Sequence, residues 1–298
     1  MKSVIRVTLD GPIRRALARG STRLAVAEAG LPSAAILMKR RVALIGYGAI
    51  GQIVADAIEI AAALVRPGRL EPTRRALPRA TVVTSPDALA EVAPDIVVEC
   101  AGQGAVTEYG DAVLSRGMDL VVISTGAFAD QSVLDRMCDI ARSAGCRLLV
   151  PAGATAGLDG LLALREGGLE SVRYTSSKPP RSWMGTPAEE TVDLDTLTEP
   201  TCIYEGPAAE AARRFPKNAN LAVTIAMAGL GLEDTHVELI ADPSLALNVG
   251  RIEAVGRSGV LTVELAGPAA EDNPKTSVVT AHSIIHALRS DSAVMIYP

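Results

Sequence analysis

Arg41-Val42-Ala43-Leu44-Ile45-Gly46-Tyr47-Gly48-Ala49-Ile50-Gly51 runs from an apolar strand into Gly-x-Gly-x-x-Gly and on into a helical pattern over 52–61. Strand, glycine turn and helix in that order form the phosphate cradle of a dinucleotide site. Gly46 permits a tight turn, Gly48 lets the backbone approach a pyrophosphate, and Gly51 lets helix and strand come close. The free N–H groups at the helix start then face the anion. Glycine-rich turns are common by themselves, and it is the flanking strand and helix that make this one specific. Gly46, Gly48, Ile50 and Gly51 are therefore candidate cofactor contacts, and a nicotinamide dinucleotide is the expected ligand.

Around this stretch the chain reads as alternating strands and helices. Strands are expected over 58–66, 80–85, 95–101, 119–124 and 147–150, with helices over 86–92, 104–116 and 130–144. That grammar implies a doubly wound parallel sheet, a Rossmann α/β domain spanning 38–150. Gly102, after the strand ending Glu99-Cys100-Ala101, sits where strand ends line a cofactor crevice. Arg66 ends the second strand, where an NAD-specific fold carries an acid for the ribose 2′-OH; arginine suits a 2′-phosphate, so NADP is expected to be accepted alongside NAD. Stacking on the adenine, or a solvent position, remains open for Arg66.

Beyond Pro151 the pattern changes. Alternating strands over 171–177, 201–205, 235–241, 249–255 and 259–265, interrupted by helices over 207–215 and 220–230, describe an α+β open-sheet domain over 151–270. Asn273-Pro274-Lys275-Thr276-Ser277 is expected to open a last helix, with 271–298 returning to the first domain. Residues 1–37 carry Lys2, Arg6, Arg14, Arg15, Arg19 and Arg23 against Asp10 and Glu28. They lack the continuous apolar core of a secretory signal and read as an extension without function, a targeting peptide being the alternative.

Composition narrows the function classes. A net charge of -5 and a pI near 5.4 argue against a nucleic-acid footprint. No apolar run reaches the roughly 20 residues that span a bilayer, so a cytoplasmic protein without a membrane partner is expected. The four cysteines, Cys100, Cys138, Cys146 and Cys202, show no metal-like spacing and read as buried free thiols. Of the three histidines, His282 and His286 stand four apart on the last helix without a third ligand, and no metal site is expected.

Several second-domain segments together resemble the L-aspartate dehydrogenase family. They are Pro151 to Leu158, Gly167-Gly168-Leu169-Glu170-Ser171-Val172, Lys178-Pro179-Pro180-Arg181-Ser182-Trp183, Phe215-Pro216-Lys217-Asn218-Ala219-Asn220, Ala241-Asp242-Pro243 and Asn273 to Ser277. They follow the family's order, and the resemblance extends from Met38 to the end of the chain. It implies oxidation of L-aspartate to iminosuccinate, which hydrolyses to oxaloacetate and ammonia or feeds NAD biosynthesis, by a homodimer. It also implies cofactor contacts at the glycine loop, at Ala127 in the Ser-Thr-Gly-Ala turn and at Asn220. An amide there can give and accept a hydrogen bond at once, although an N-cap role for Asn220 is equally natural.

One position departs from the family. The family reads Asn-x-His thirty residues after that asparagine and places its catalytic histidine there; this chain has Asn248-Val249-Gly250. An imidazole shuttling protons contributes about 10²–10⁴ in rate, and Gly250 supplies none. His236, on the strand over 235–241, is the candidate substitute. Lys178, Lys217 and Lys275 are candidates for gripping the carboxylates of a small dicarboxylic amino or keto acid inside an acidic protein. Three readings stay open: an aspartate dehydrogenase with low or altered activity, a reductase of another imine or carbonyl, and a non-catalytic NADP-binding regulatory protein.

Overall fold

The computed structural model of the protein describes residues 40–216, 218, 220–270 and 273–291. Six parallel strands, β1 (Val42–Ile45), β2 (Ile60–Leu64), β3 (Thr81–Val83), β4 (Ile96–Glu99), β5 (Asp119–Val122) and β6 (Leu148–Leu149), lie in the order β3-β2-β1-β4-β5-β6. Every residue of β1, β4 and β5 is buried. Strands buried along their whole length need cover on both faces, which a parallel sheet with crossover helices provides. The order reverses between β1 and β4, and a crevice opens there at the carboxyl ends of the strands.

The crossovers carry α1 (Ala49–Ala57), α2 (Leu70–Ala76), α3 (Pro86–Glu91), α4 (Gln103–Leu114) and α5 (Gln131–Ala144). A second sheet follows, built from β7 (Leu169–Lys178), β8 (Thr201–Pro207), β9 (Thr235–Ala241), β10 (Asn248–Gly256) and β11 (Gly259–Gly267). Its order is β11-β10-β7-β9-β8, with β7 and β9 parallel and the other pairs antiparallel. With it come α6 (Leu158–Glu166), α7 (Ala208–Arg214) and α8 (Asn220–Ala228). A two-stranded ribbon, β12 (Ala269–Ala270) and β13 (Asn273–Ser277), precedes α9 (Val278–Ser290).

Period two sorts the side chains of β1 between two cores. Val42 and Leu44 join Val54 of α1 and Ala281, Ile284, Ile285 and Leu288 of α9, so the last helix packs on the first sheet. Ala43 and Ile45 join the cluster that takes in Leu89, Val106, Val113 and Met137 and continues into the second sheet through Val172, Tyr174, Leu239 and Ile252. In the second sheet Val172, Tyr174, Ser176 and Lys178 are buried while Arg173 is exposed and Thr175 and Ser177 half-buried, so one face carries the core and the cleft.

Several sequence expectations need correcting. The helical pattern over 52–61 and the strand over 58–66 competed for the same residues. The helix ends at Ala57, and Ile58 takes an extended conformation (φ -134°, ψ 133°) that leads into β2. Helix α2 was hidden by Pro72, which lies in its first turn, where no N–H is needed. The last helix starts at Val278, not at 273: residues 273–277 pair with β12, and Ser277 Oγ caps the helix by accepting from Val279 N at 3.3 Å. The free thiols are not buried as expected: Cys100, Cys138 and Cys146 are half-buried, and Cys202 is exposed on the edge strand β8. Residues 1–37 lie outside the described residues. Among the described residues no helix is long and apolar enough to cross a membrane.

A four-member ion network fastens α9 to the first sheet. Arg40 bonds Asp291 at 2.6 Å and Asp119 at 2.8 Å, and Arg147 reaches both carboxylates at 2.7 Å. Burial pushes the carboxyls of Asp119 and Asp291 up, but the hydrogen bonds and charges of Arg147 and Arg40 outweigh it and hold both below the ordinary aspartate value. A depressed folded-state pKa stabilises above the unfolded value of about 3.9, and that stability is lost as pH falls through the lower folded value. Asp119→Asn should therefore cost about 1–3 kcal/mol at pH 7. Thermal unfolding followed from pH 7 to pH 2 should show the variant losing less on acidification than the wild type.

Candidate active site

The turn after β1 has the geometry its glycines suggested. Gly46 adopts φ +89°, and a Cβ there would stand 2.8 Å from Ala101 Cβ; a Cβ at Gly51 would stand 2.9 Å from the Gly46 carbonyl oxygen. These glycines allow α1 and the β4 turn to close on β1. Gly48 is different, because a Cβ there would meet nothing within 4 Å. It is the N-cap of α1, whose first turn contains no acidic residue, so the helix's N–H groups have no competing carboxylate. Open space beside an uncompensated helix start fits a pyrophosphate.

Across the crevice a fully buried carboxylate shapes the strand ends. Glu99 Oε1 accepts from Ala101 N and Gly102 N at 2.7 Å and from Ser124 Oγ at 2.9 Å, while Oε2 accepts from Ser124 N at 3.0 Å. Burial raises its carboxyl above the usual range, and the N–H donors of Gly102, Ser124 and Ala101 oppose that shift without cancelling it. The group ties the end of β4 to the end of β5.

Asn220 ties the first sheet's edge to the second half. Its Oδ1 accepts from Gln103 Nε2 and Gly126 N, both at 3.0 Å, and its carbonyl accepts from Thr125 Oγ1 at 2.7 Å. The accepting half of this amide is thus engaged within the protein, leaving Nδ2 as the donor for a ligand. Ala127 is buried on a 3-10 turn over Thr125–Ala129 and gives its N–H to the Ser124 carbonyl at 3.1 Å. It does not line the cleft.

A cleft of about 760 Å³ runs from Gly48, Ile50 and Gly102 past Ser124 and Asn220 to Lys178, Asn248 and Gly250. On its second-domain side β7 presents Tyr174, Ser176 and Lys178, each with 8% exposure or less. The Lys178 ammonium stands 5.2 Å from the Trp183 ring centroid, a cation held against an aromatic face. Gly250 pairs with Ser176 and Leu265, and a Cβ there would stand 3.4 Å from Tyr174 Cε2 and Oη. Burial pushes the Tyr174 hydroxyl up to about 12, partly opposed by a hydrogen bond with Ser176. Tyr174 is therefore a neutral hydroxyl, not a base, at neutral pH.

Sequence reasoning misplaced one residue. His236 lies on β9 opposite Arg173 and pairs through Nε2 with Glu205 Oε1 at 3.1 Å. Strand alternation puts it on the face away from Tyr174 and Ser176, so it cannot stand in for a cleft imidazole. His236, Glu205 and Glu238 bring ligand atoms within 4.8 Å of one another, but Glu238 is already bonded to Arg173, whose charge opposes a metal ion. His282 and His286 are exposed on α9. Arg66 is exposed just beyond β2 and is not among the residues that line the cleft. Lys217 lies outside the described residues, and Lys275 is described only as backbone in β13. Tyr174, Ser176, Glu99, Gln103, Asn218 and Asn248 escaped the sequence reading. Glu99, Asn218 and Asn248 carried a signal, as members of quoted segments whose other residues were singled out.

The loop glycines separate folding from binding. Gly46→Ala should destabilise by about 1–3 kcal/mol, because its backbone is left-handed and its space is filled. Gly48→Ala should leave the melting temperature unchanged yet weaken a dinucleotide at least about tenfold in a fluorescence titration.

Comparison with known proteins agrees with this geometry. Residues 159–291 match the family model described as aspartate dehydrogenase, C-terminal, and residues 44–151 match that of the homoserine dehydrogenase NAD binding domain. The chain is 42% identical over 255 residues to L-aspartate dehydrogenase of Serratia proteamaculans, covering 84% of this chain and 96% of that one. It is 47% identical over 197 residues to L-aspartate dehydrogenase of Acinetobacter baumannii, covering 66% and 75%. The crystal structure of aspartate dehydrogenase from Thermotoga maritima superposes with a TM-score of 0.68 at 26% identity, covering 87% of this chain and 99% of that one. The nucleotide cradle, the buried lysine and these relatives together place the chain in the L-aspartate dehydrogenase family.

Proposed function

We propose that the protein is an NAD(P)-dependent L-aspartate dehydrogenase, interconverting L-aspartate with iminosuccinate and hence with oxaloacetate and ammonia. One observation carries the reading: a single cleft joins a dinucleotide cradle at Gly48 to a buried cation at Lys178. A cation in a desolvated wall is what a dicarboxylate needs, because its charge is poorly screened there. The relatives' activity, named for each of them as L-aspartate dehydrogenase, supports the same substrate.

The bound nicotinamide supplies hydride exchange at the substrate's α-carbon. The chain's residues do the rest. Lys178 holds a carboxylate, Ser176 and Tyr174 furnish a hydroxyl wall, and Asn220 Nδ2 offers a donor where the two halves meet. Oxidation takes a hydride from carbon and one proton from the ammonium nitrogen. With Gly250 in place of an imidazole, that proton passes to water in the cleft. The same reading makes the protein a homodimer, supported by the outer face of the second sheet, where Val260 is 73% and Val255 38% exposed.

NADPH oxidation by oxaloacetate and ammonia is the direct test, and absence of turnover with any dicarboxylic keto acid would remove the reading. Gly250→His should then raise aspartate oxidation at least about tenfold, since the strand position tolerates a Cβ at 3.4 Å from Tyr174. The neutral imidazole is the base, so the gain should appear as pH rises through about 6.5, an inflection the wild type lacks. Activity that falls instead would assign the glycine to a different imine or carbonyl substrate.

Arg66 supports use of the phosphorylated cofactor. Arg66→Ala should weaken NADPH about tenfold while leaving NADH within about twofold. A wild-type preference for NAD in side-by-side titrations would overturn that assignment.

A further inference from the structure

Two amide oxygens in the cleft have no hydrogen-bond partner among the described residues. Asn218 is 7% exposed; its backbone N–H donates to the Phe215 carbonyl at 2.9 Å and its Nδ2 to the Ser182 carbonyl at 3.2 Å, while its Oδ1 is buried and unpaired. Asn248 Oδ1, at the start of β10, is likewise buried and unpaired. Both residues line the cleft.

The orientation of Asn218 follows from chemistry. The Ser182 carbonyl can only accept, so the NH₂ group must face it and the oxygen is the atom left over. A buried acceptor without a donor costs about 1–3 kcal/mol, and folded proteins keep few of them. Two in one cleft mark the seat of a donor. Among the other polar groups there, Lys178 can only donate, and Tyr174 and Ser176 hydrogen-bond one another. The β7–β10 register continues Val249↔Ser177 to bring Asn248 beside Lys178. A cation thus adjoins the Asn248 acceptor, and the Asn218 acceptor lines the same cleft, the complement of a carboxylate beside an N–H-rich group.

We propose that Asn218 and Asn248 hold the amino nitrogen of the substrate, selecting an amino acid over an equally charged acid that lacks it. The inference rests on the aspartate reading above and adds the residues that distinguish the amine. Amide oxygens accept N–H bonds but take up no proton, so they position the nitrogen and leave its proton to water. The nicotinamide carboxamide offers the same N–H chemistry, and the test separates the two donors.

Protein loaded with NADPH, which cannot oxidise aspartate, is titrated calorimetrically with L-aspartate and with succinate. The wild type should bind L-aspartate at least about tenfold more tightly. Asn218→Leu and Asn248→Leu should bring the two ligands within about twofold of each other, with NADPH affinity unchanged, and Asn248→Asp, which keeps acceptors, should retain the preference. A preference that survives both leucine variants overturns the proposal. So does a loss of NADPH affinity in parallel, which would give the oxygens to the carboxamide. Equal binding of the two acids by the wild type overturns the amine assignment while leaving a dicarboxylate site standing; binding of neither overturns both.

Discussion

Asn220 Oδ1 accepts two N–H donors from the first half of the molecule, Gln103 Nε2 and Gly126 N, while sitting at the first residue of a helix from the second half. The cleft depends on that junction. Its nucleotide wall consists of strand ends and turns, and the junction sets them against the second half. Thr125 strengthens the joint through the Asn220 carbonyl and the Thr224 hydroxyl, and Gln103 also reaches the Pro216 carbonyl at 2.6 Å. Removing that acceptor would strand the Gly126 N–H and leave Gln103 with the Pro216 carbonyl alone, so one amide contributes to both sides of the junction.

The polar groups around the cleft divide into two kinds. Glu99 and Asn220 Oδ1 are engaged with protein donors, and they build the scaffold. Asn218 Oδ1 and Asn248 Oδ1 have no such partner among the described residues, a cost that any hydrogen-bond donor arriving in the cleft offsets. Gly250 lies on the same strand face as Asn248, two residues along. On the proposed reading the chain keeps the elements that bind and orient, with a glycine where the family resemblance implies the imidazole that moves a proton. Binding and proton transfer are physically separable, because geometry is imposed by many contacts and a proton transfer by one group of suitable pKa.

The first sheet was legible because its signals are local. Continuous apolar strands, helix caps such as Ser85 and Asp130, and glycines at fixed offsets each act within a few residues. Boundaries were less legible where two local preferences overlapped, as at Ile58, and where a proline lay in a first turn, as in α2. The outward orientation of His236 could not be read at all. Period two says that alternate residues share a face, but which face meets the cleft depends on how β9 registers with β7 and on where the helices pack.

The amino-acid order alone determined the dinucleotide fold, the glycine cradle and the change of grammar after Pro151, since each is a matter of residue type at a short spacing; the family resemblance added the expectation of a histidine where Gly250 stands. Only the tertiary structure decided that Glu99 is the buried tie between two strand ends, that the acceptor of Asn220 is engaged while those of Asn218 and Asn248 have no partner among the described residues, and that Lys178 rather than His236 faces the cleft. Hydrogen-bond satisfaction is a property of groups brought together from distant parts of the chain, and no local pattern records which of them are left without a partner.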